Sequence, residues 1–256
     1  MTALRGAAPI LAAARLQLRG TAWLSILIGA AVQPATYVTI TLAAHGTSAL
    51  DRPTIVLGSG LLSAWTVTLW QAGMVLRREF WAGTLPAICS RSAGLGPVLV
   101  GKTLAAVGLS VTLTAASVAV VAAVEGHPLA IARPGVFCLA LVAGFAATLP
   151  LGLLVSCLFL LTRSAIRVAE TLLYPVFILG GLLIPLDRLP AWLRPVSGAL
   201  SLHWAQQLLT GAAAGSVPAS GWAGLAVTAA VYTVAARLAF RRVLRRAREE
   251  GTLEIF

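Results

Sequence analysis

Six stretches of this chain are long, nearly uninterrupted apolar runs, and the connections between them run from 5 to 34 residues. The runs cover residues 22–44, 54–76, 98–124, 136–162, 168–186 and 221–240. A bilayer core demands roughly 20 residues of helix, and each run comes close to or exceeds that length. Backbone groups in hydrocarbon find no water, so such runs must be helices that bond their own peptide groups. The expected fold is therefore an all-α polytopic membrane protein with six transmembrane helices. The connections at 45–53, 77–97, 125–135, 163–167 and 187–220 leave no room for a soluble domain. Residues 1–256 read as a single transmembrane domain.

Two segments depart from plain spanning. At the N-terminus the apolar stretch 7–14 is interrupted by Pro9 and followed by Arg15 and Arg19. That is not the clean apolar core of a cleavable signal peptide. Arg15 and Arg19 share one helical face, and Ile10, Leu11, Ala14 and Leu18 fall on another. Residues 7–20 are thus expected to form an amphipathic helix on the cytosolic membrane surface. The second departure is the fifth run, which contains Pro175, Gly180, Gly181 and Pro185 and leads into the amphipathic segment from Leu189 to Leu193. A helix that stops short of the far face and folds back would use such breakers. An outer re-entrant hairpin over 187–220 is the expectation.

Composition supports the membrane reading. The chain is 59% hydrophobic and 11% charged, with a mean hydropathy of +0.91, where a soluble domain carries about 25% charged residues. Its net charge of +11 is explained by topology rather than by nucleic acid. With the N-terminus inside, only Arg52, Arg133, Arg188 and Arg194 of the nineteen basic residues fall outside. That bias puts both termini in the cytosol and leaves 241–256 as a basic cytosolic tail. Trp192, Trp204 and Trp222 suit the outer headgroup zone. Cys89, Cys138 and Cys157 suggest neither a disulfide framework nor a zinc site. Abundant Ala, Gly and Arg mark a high-GC genome, so a bacterial plasma membrane is the expected location.

Candidate chemistry is sparse. Residues 96–103 spell a formal nucleotide-binding loop, Gly96 to Gly101-Lys102-Thr103. The mechanism needs a buried strand before it, a soluble helix after it and an acidic magnesium partner. Here a polar loop precedes it, a span follows it, and Asp51 and Asp187 both fall outside. Lys102 is expected to snorkel to the headgroups. Asp187 and His203 could meet near the outer surface, but read most simply as interfacial polar residues. Glu170, three residues after Arg167, reads as half of a local helical pair rather than an ion-coupling carboxylate. The energy for any transport should come from elsewhere. The loop Arg77-Arg78-Glu79-Phe80-Trp81-Ala82-Gly83-Thr84-Leu85 mixes charge with bulky apolar groups just past a span, as a partner-facing knob would.

Two segments together resemble the ABC-2 type transporter permease family. One is Arg78-Glu79, then Gly83-Thr84-Leu85, followed by Gly101-Lys102 at the start of span three. The other runs from Pro175 through Gly180-Gly181 and Pro185 to Leu189-Pro190-Ala191-Trp192-Leu193, then to Gln206 and Leu209. The resemblance implies an exporter's transmembrane subunit, which pairs with a second permease, identical or homologous. Two copies of a cytosolic ABC ATPase would supply the energy. ATP and magnesium would sit on that ATPase, with no cofactor, metal or catalytic residue in this chain and no nucleic-acid partner. The substrate would be a drug, antibiotic, lipid or glycan-like amphiphile. Arg78, Glu79, Phe80, Trp81 and Gly83 would form the ATPase-coupling helix. A substrate path would run past Gln33, Tyr37, Trp65, Gln71, Tyr174 and Phe177, and Pro185, Leu189 and Trp192 would form an outer gate. Pro86 and the segment Leu200–His203 depart from the family pattern. The alternative is a stand-alone membrane protein, either a small secondary carrier or a lipid-modifying enzyme.

Overall fold

The computed structural model describes residues 2–20, 32, 35–36, 39, 52–84, 95–124, 131–162, 164–180, 190 and 192–249. These residues are helical apart from a few turns, with no strand among them. The long elements are α1 (Thr2–Gly20), α2 (Arg52–Gln71), α4 (Leu95–Val124), α5 (Pro134–Leu161), α6 (Ala165–Leu179), α8 (Ser201–Ala214) and α9 (Ala219–Glu249). The short elements α3 (Val75–Trp81) and α7 (Arg194–Ser197) link them. The first expected span, with Gln33 and Tyr37, lies outside the described residues except for a few positions. So do Pro185, Leu189, Cys89 and Asp187, and the side chains of Tyr174 and Phe177.

Among the described residues three helices are long and apolar enough to cross a membrane: Gly96–Val120, Pro134–Leu161 and Ala219–Val243. The first two are apolar on all sides, the pattern of a helix with no water-facing surface. Exposed Leu139, Val142, Val227, Val231 and Val234 on α5 and α9 suit a hydrocarbon surrounding. The chain is a membrane protein.

α2 differs because it runs through the middle of the bundle. Leu62, Leu69 and Trp65 are almost wholly buried, alongside Ser59, Ser63 and Thr66. Those hydroxyls donate to carbonyls one turn back: Ser59 to Val56 at 2.8 Å, Ser63 to Ser59 at 2.9 Å and Thr66 to Leu62 at 3.0 Å. Such back-bonding lets a helix carry polar residues into an apolar interior without orphaned groups. The main core joins Leu62, Trp65 and Leu69 to Leu151, Val155 and Phe159 of α5, Val176 of α6 and Leu202 of α8.

α8 gives the bundle its unusual section. Its last carbonyls, Ala212 and Ala213, accept from the backbone N–H groups of Arg133 and Ala132, just before α5 begins. Its other end is held by Tyr232, whose hydroxyl donates to the Ala199 carbonyl at 2.6 Å. Tyr232 is thirteen residues into α9, or about 20 Å along it at 1.5 Å per residue. α8 therefore begins near mid-depth of the bundle and climbs to one end. Its approach turn bonds internally, with Ala199 N–H to Val196 O and Leu200 N–H to Ser197 O, as non-helical backbone buried at that depth must.

Three expectations shift in detail. α1 starts at Thr2 rather than residue 7. Part of its apolar face is used on protein, because Ile10 and Ala13 pack over Gly101 of α4 while Leu11 stays exposed. The basic tail is not separate at its start: α9 runs unbroken to Glu249. Trp204 lies on α9 over Gly224, with its Nε1 donating to the Gly198 carbonyl at 2.8 Å, so it packs against protein rather than only lining the headgroups. Trp192 is 74% exposed.

The α1–α4 contact yields a prediction. A Cβ on Gly101 would run into the Ile10 carbonyl and come within 3.1 Å of Ala13 Cβ. Gly101→Val should therefore lift α1 from α4 at a cost of about 1–3 kcal/mol. Limited trypsin digestion at Arg15 and Arg19 checks it. Unchanged cleavage would show that α1 does not depend on this contact.

Candidate functional site

Among the described residues, the densest set of side-chain contacts between elements surrounds α3, a helix of only seven residues. Alone in water it would not persist, because helix nucleation is unfavourable and short segments recover little of it. Neighbouring elements hold it instead. Val75 and Leu76 are buried against Leu99, Cys157 and Val243. The backbone N–H of Leu76 donates to Ser156 Oγ of α5 at 3.2 Å, so a hydroxyl from another helix caps a first-turn donor that α3 leaves open. Gly73, in the turn before α3, would collide with Phe159 and Val155 if it carried a side chain.

Arg77 grips the same helix, α5, further along. Its Nη1 donates to the carbonyls of Phe159 at 2.9 Å and Thr162 at 2.7 Å. These belong to the C-terminal end of α5, where carbonyls lack intrahelical partners and the helix dipole favours a cation. The same guanidinium lies 5.4 Å from the Trp81 ring centroid, within cation–π range. Arg78 Nη1 donates to Gln71 Oε1 at 2.9 Å. Desolvation draws the Arg78 pKa down from its ordinary value, yet a guanidinium stays charged in proteins.

Glu79 completes the fixture. One carboxylate oxygen pairs with Lys102 Nζ of α4, and the other accepts from Thr84 Oγ1 at 2.7 Å. The two ionic side chains are only 14% and 17% exposed. Lys102 thus pairs with α3 rather than only snorkelling to headgroups. Beyond the helix, Gly83 adopts φ +65°, a left-handed conformation that closes the helix end and that glycine enters without steric cost. Thr84 N–H then returns to the Glu79 carbonyl at 3.1 Å. The tip from Trp81 to Thr84 is exposed, Trp81 by 62%.

The nucleotide-binding look of residues 96–103 dissolves in this geometry. Gly101 admits α1, Lys102 pairs with Glu79, and Thr103 is buried where α4 meets Gly152 of α5. These three residues of the pattern each serve a helix contact.

Arg78, Glu79, Phe80, Trp81 and Gly83 therefore come together on one pinned helix and its exposed tip. Gln71 lies beside that helix, bonded to Arg78, and Trp65 lies deeper in α2 with no acceptor for its Nε1. Sequence reasoning missed Arg77 and Ser156 as partners of α5 and α3. Ser156 had one signal, as the single serine of the apolar run 136–162. Arg167 and Glu170 are both exposed on α6. Among the described residues no group of three or more His, Cys, Asp or Glu could hold a metal ion.

Removing the borrowed cap should loosen α3. Ser156→Ala is expected to cost about 1 kcal/mol, the usual value of a lost helix cap. It would be read as faster tryptic cleavage after Arg77 and Arg78. An unchanged rate would mean that burial of Val75 and Leu76 alone holds the helix.

A family model described as ABC2_membrane, ABC-2 type transporter, matches residues 72–213. That is more than half of the chain, and the match opens at the turn into α3 and closes at the end of α8. No curated protein matches the chain.

Proposed function

Since this chain belongs to the ABC-2 type transporter family, we propose that it is the membrane subunit of an ATP-driven exporter whose energy comes from a separate cytosolic ABC ATPase. α3 carries the reading. It is pinned by α4 and α5 on one side and presents Trp81–Thr84 outward on the other. A helix so held can pass a push on its tip into two long apolar helices at once. The ATPase would close on ATP, press the tip and displace the inner ends of α4 and α5.

Six spans, both termini in the cytosol and a bacterial plasma membrane complete the arrangement. The basic-residue asymmetry supports the orientation. The mid-depth start of α8 supports the re-entrant hairpin expected over 187–220 at the outer face. Two permeases, identical or homologous, would each dock one ATPase and move a hydrophobic or amphiphilic molecule outward.

Affinity purification from the native host tests the proposal. The tagged chain should bring an ABC ATPase with it and show ATP-driven transport in proteoliposomes only when that subunit is present. Transport by the chain alone, driven by an ion gradient, would overturn it.

A further inference from the structure

Two neighbouring cavities lie between α2, α4, α5 and α8, toward the end of the bundle where α8 terminates. The larger has a volume of about 340 Å³ and is walled by Leu57, Gly60, Val118, Phe137 and other apolar residues, with Thr114 as its polar member. The smaller, about 20 Å³, shares Leu61, Ala64, Val111, Leu141, Phe145 and Leu209 with it. This smaller space adds Trp65, Thr68, Thr148 and Ser201 to the lining. The pair therefore reads as an apolar chamber with a polar neck.

Three polar side chains in these walls are buried without a hydrogen-bond partner. Trp65 is 4% exposed and its Nε1 has no acceptor, while Ser201 and Thr114, at 1% and 3%, have unpartnered hydroxyls. Buried polar groups in native proteins are nearly always satisfied, and here two of the exceptions line one neck. Among the described residues, none that lines either cavity is ionisable. A charged group entering would lose its water and meet no counter-ion. The chamber lies within the roughly 300–1,000 Å³ of small-molecule sites, and the neck has room for about one water-sized group. Ala115, Ala119 and Ala123 of α4 are lining residues that are themselves exposed. The mouth therefore opens beside an apolar helix, where a membrane-dissolved molecule could enter.

We propose that this cleft binds an uncharged amphiphile, whose hydrocarbon part fills the chamber while a single hydroxyl or carbonyl oxygen in the neck accepts from Trp65 Nε1 and bonds Ser201 Oγ. The inference rests on the transport reading above and names the class of its cargo. It also puts the cargo inside one subunit, beside α8, rather than between two permeases.

Photolabelling of the purified full-length chain in nanodiscs tests it without any ATPase. The probes are a long-chain alcohol with a diazirine in its chain, the same chain ending in a carboxylate or a quaternary ammonium, and the plain hydrocarbon. Mass spectrometry should place the alcohol's label within 57–64 and 111–119, about tenfold above the charged probes. Ala64→Trp, which fills the wall common to both cavities, should remove that label. Should Ala64→Trp not yield a monodisperse protein, Ala115→Phe at the mouth serves instead. Trp65→Phe combined with Ser201→Ala should erase the alcohol's advantage over the hydrocarbon while the chamber still labels. Equal labelling by all four probes, or label unmoved by the filling variants, would overturn the site. A labelled chamber whose closure leaves ATP-driven export unchanged would overturn the cargo assignment. Failure of the ATPase to co-purify would instead strike the transport reading and leave the labelling result standing.

Discussion

Glu79→Ala and Lys102→Ala are each expected to cut ATP-driven transport at least tenfold, while the double exchange Glu79→Lys with Lys102→Glu recovers a large part of it. The pair is mostly shielded, with both side chains under a fifth exposed. Taking away one member therefore leaves the other partly buried without its counter-charge, costing about 1–3 kcal/mol. At 1.4 kcal/mol per factor of ten, that is enough to shift α3 out of register for most of the time. The two singles should differ in kind. Lys102 freed of Glu79 can extend to the headgroups, whereas Glu79 freed of Lys102 keeps only the Thr84 hydroxyl. Lys102→Ala is thus expected to be the worse, and Glu79→Lys alone the worst because it sets two cations together. Transport in proteoliposomes and the amount of ATPase retained on purification are the readouts, with gel-filtration profiles confirming that each variant folds. Full activity in both alanine variants would remove the pair from the coupling path. A double exchange no better than the worse single would show that the residues act separately.

The residues of this site were legible in the sequence, but their bonds were not. The mixture of charge and bulky apolar residues after an apolar run set Arg78 to Gly83 apart, though such a mixture also suits an ordinary helix end at the membrane surface. Lys102 was legible only as a cation near a span end, since its partner lies twenty-three residues away on another helix. Ser156 and Arg77 were harder still. Both act on backbone groups of another helix, and backbone groups carry no sequence signature. The spans themselves followed from hydropathy, which is why Gly96–Val120, Pro134–Leu161 and Ala219–Val243 fall where apolar runs were read. α2 was read as a span over 54–76 but ends at Gln71, and α8 was read only within the hairpin 187–220, for one shared reason. They carry Ser, Thr, Gln and Trp into the middle of the bundle, so their hydropathy falls as their burial rises. The cavity beside them was invisible, because a void is made by four helices and belongs to none of them.

The second large effect is expected at the other end of α8. Gly224→Val should lower transport at least tenfold and leave ATPase co-purification intact. A Cβ at Gly224 would fall inside the indole ring of Trp204, so the valine must push α8 and α9 apart. Lipid is as apolar as either helix, and helices in a membrane associate through close packing rather than through escape from water. A lost close contact is therefore not offset by burial elsewhere, and overpacking of this kind costs about 1–3 kcal/mol. The displacement would carry Ser201 and Leu202 with it, the residues that join the neck of the cavity to the core. α3 would be spared, because its partners Ser156 and Phe159 of α5 and Lys102 of α4 lie at the opposite end of those helices. Adding Trp204→Ala to Gly224→Val clears the space that the valine needs. It also removes the indole bond to the Gly198 carbonyl, so the double variant should regain part of the loss and not all of it. If the double variant is as inactive as Gly224→Val, the indole contact is not what the valine breaks. If Gly224→Val transports normally, α8 is free to shift on α9, and the close fit between them has no part in opening the path.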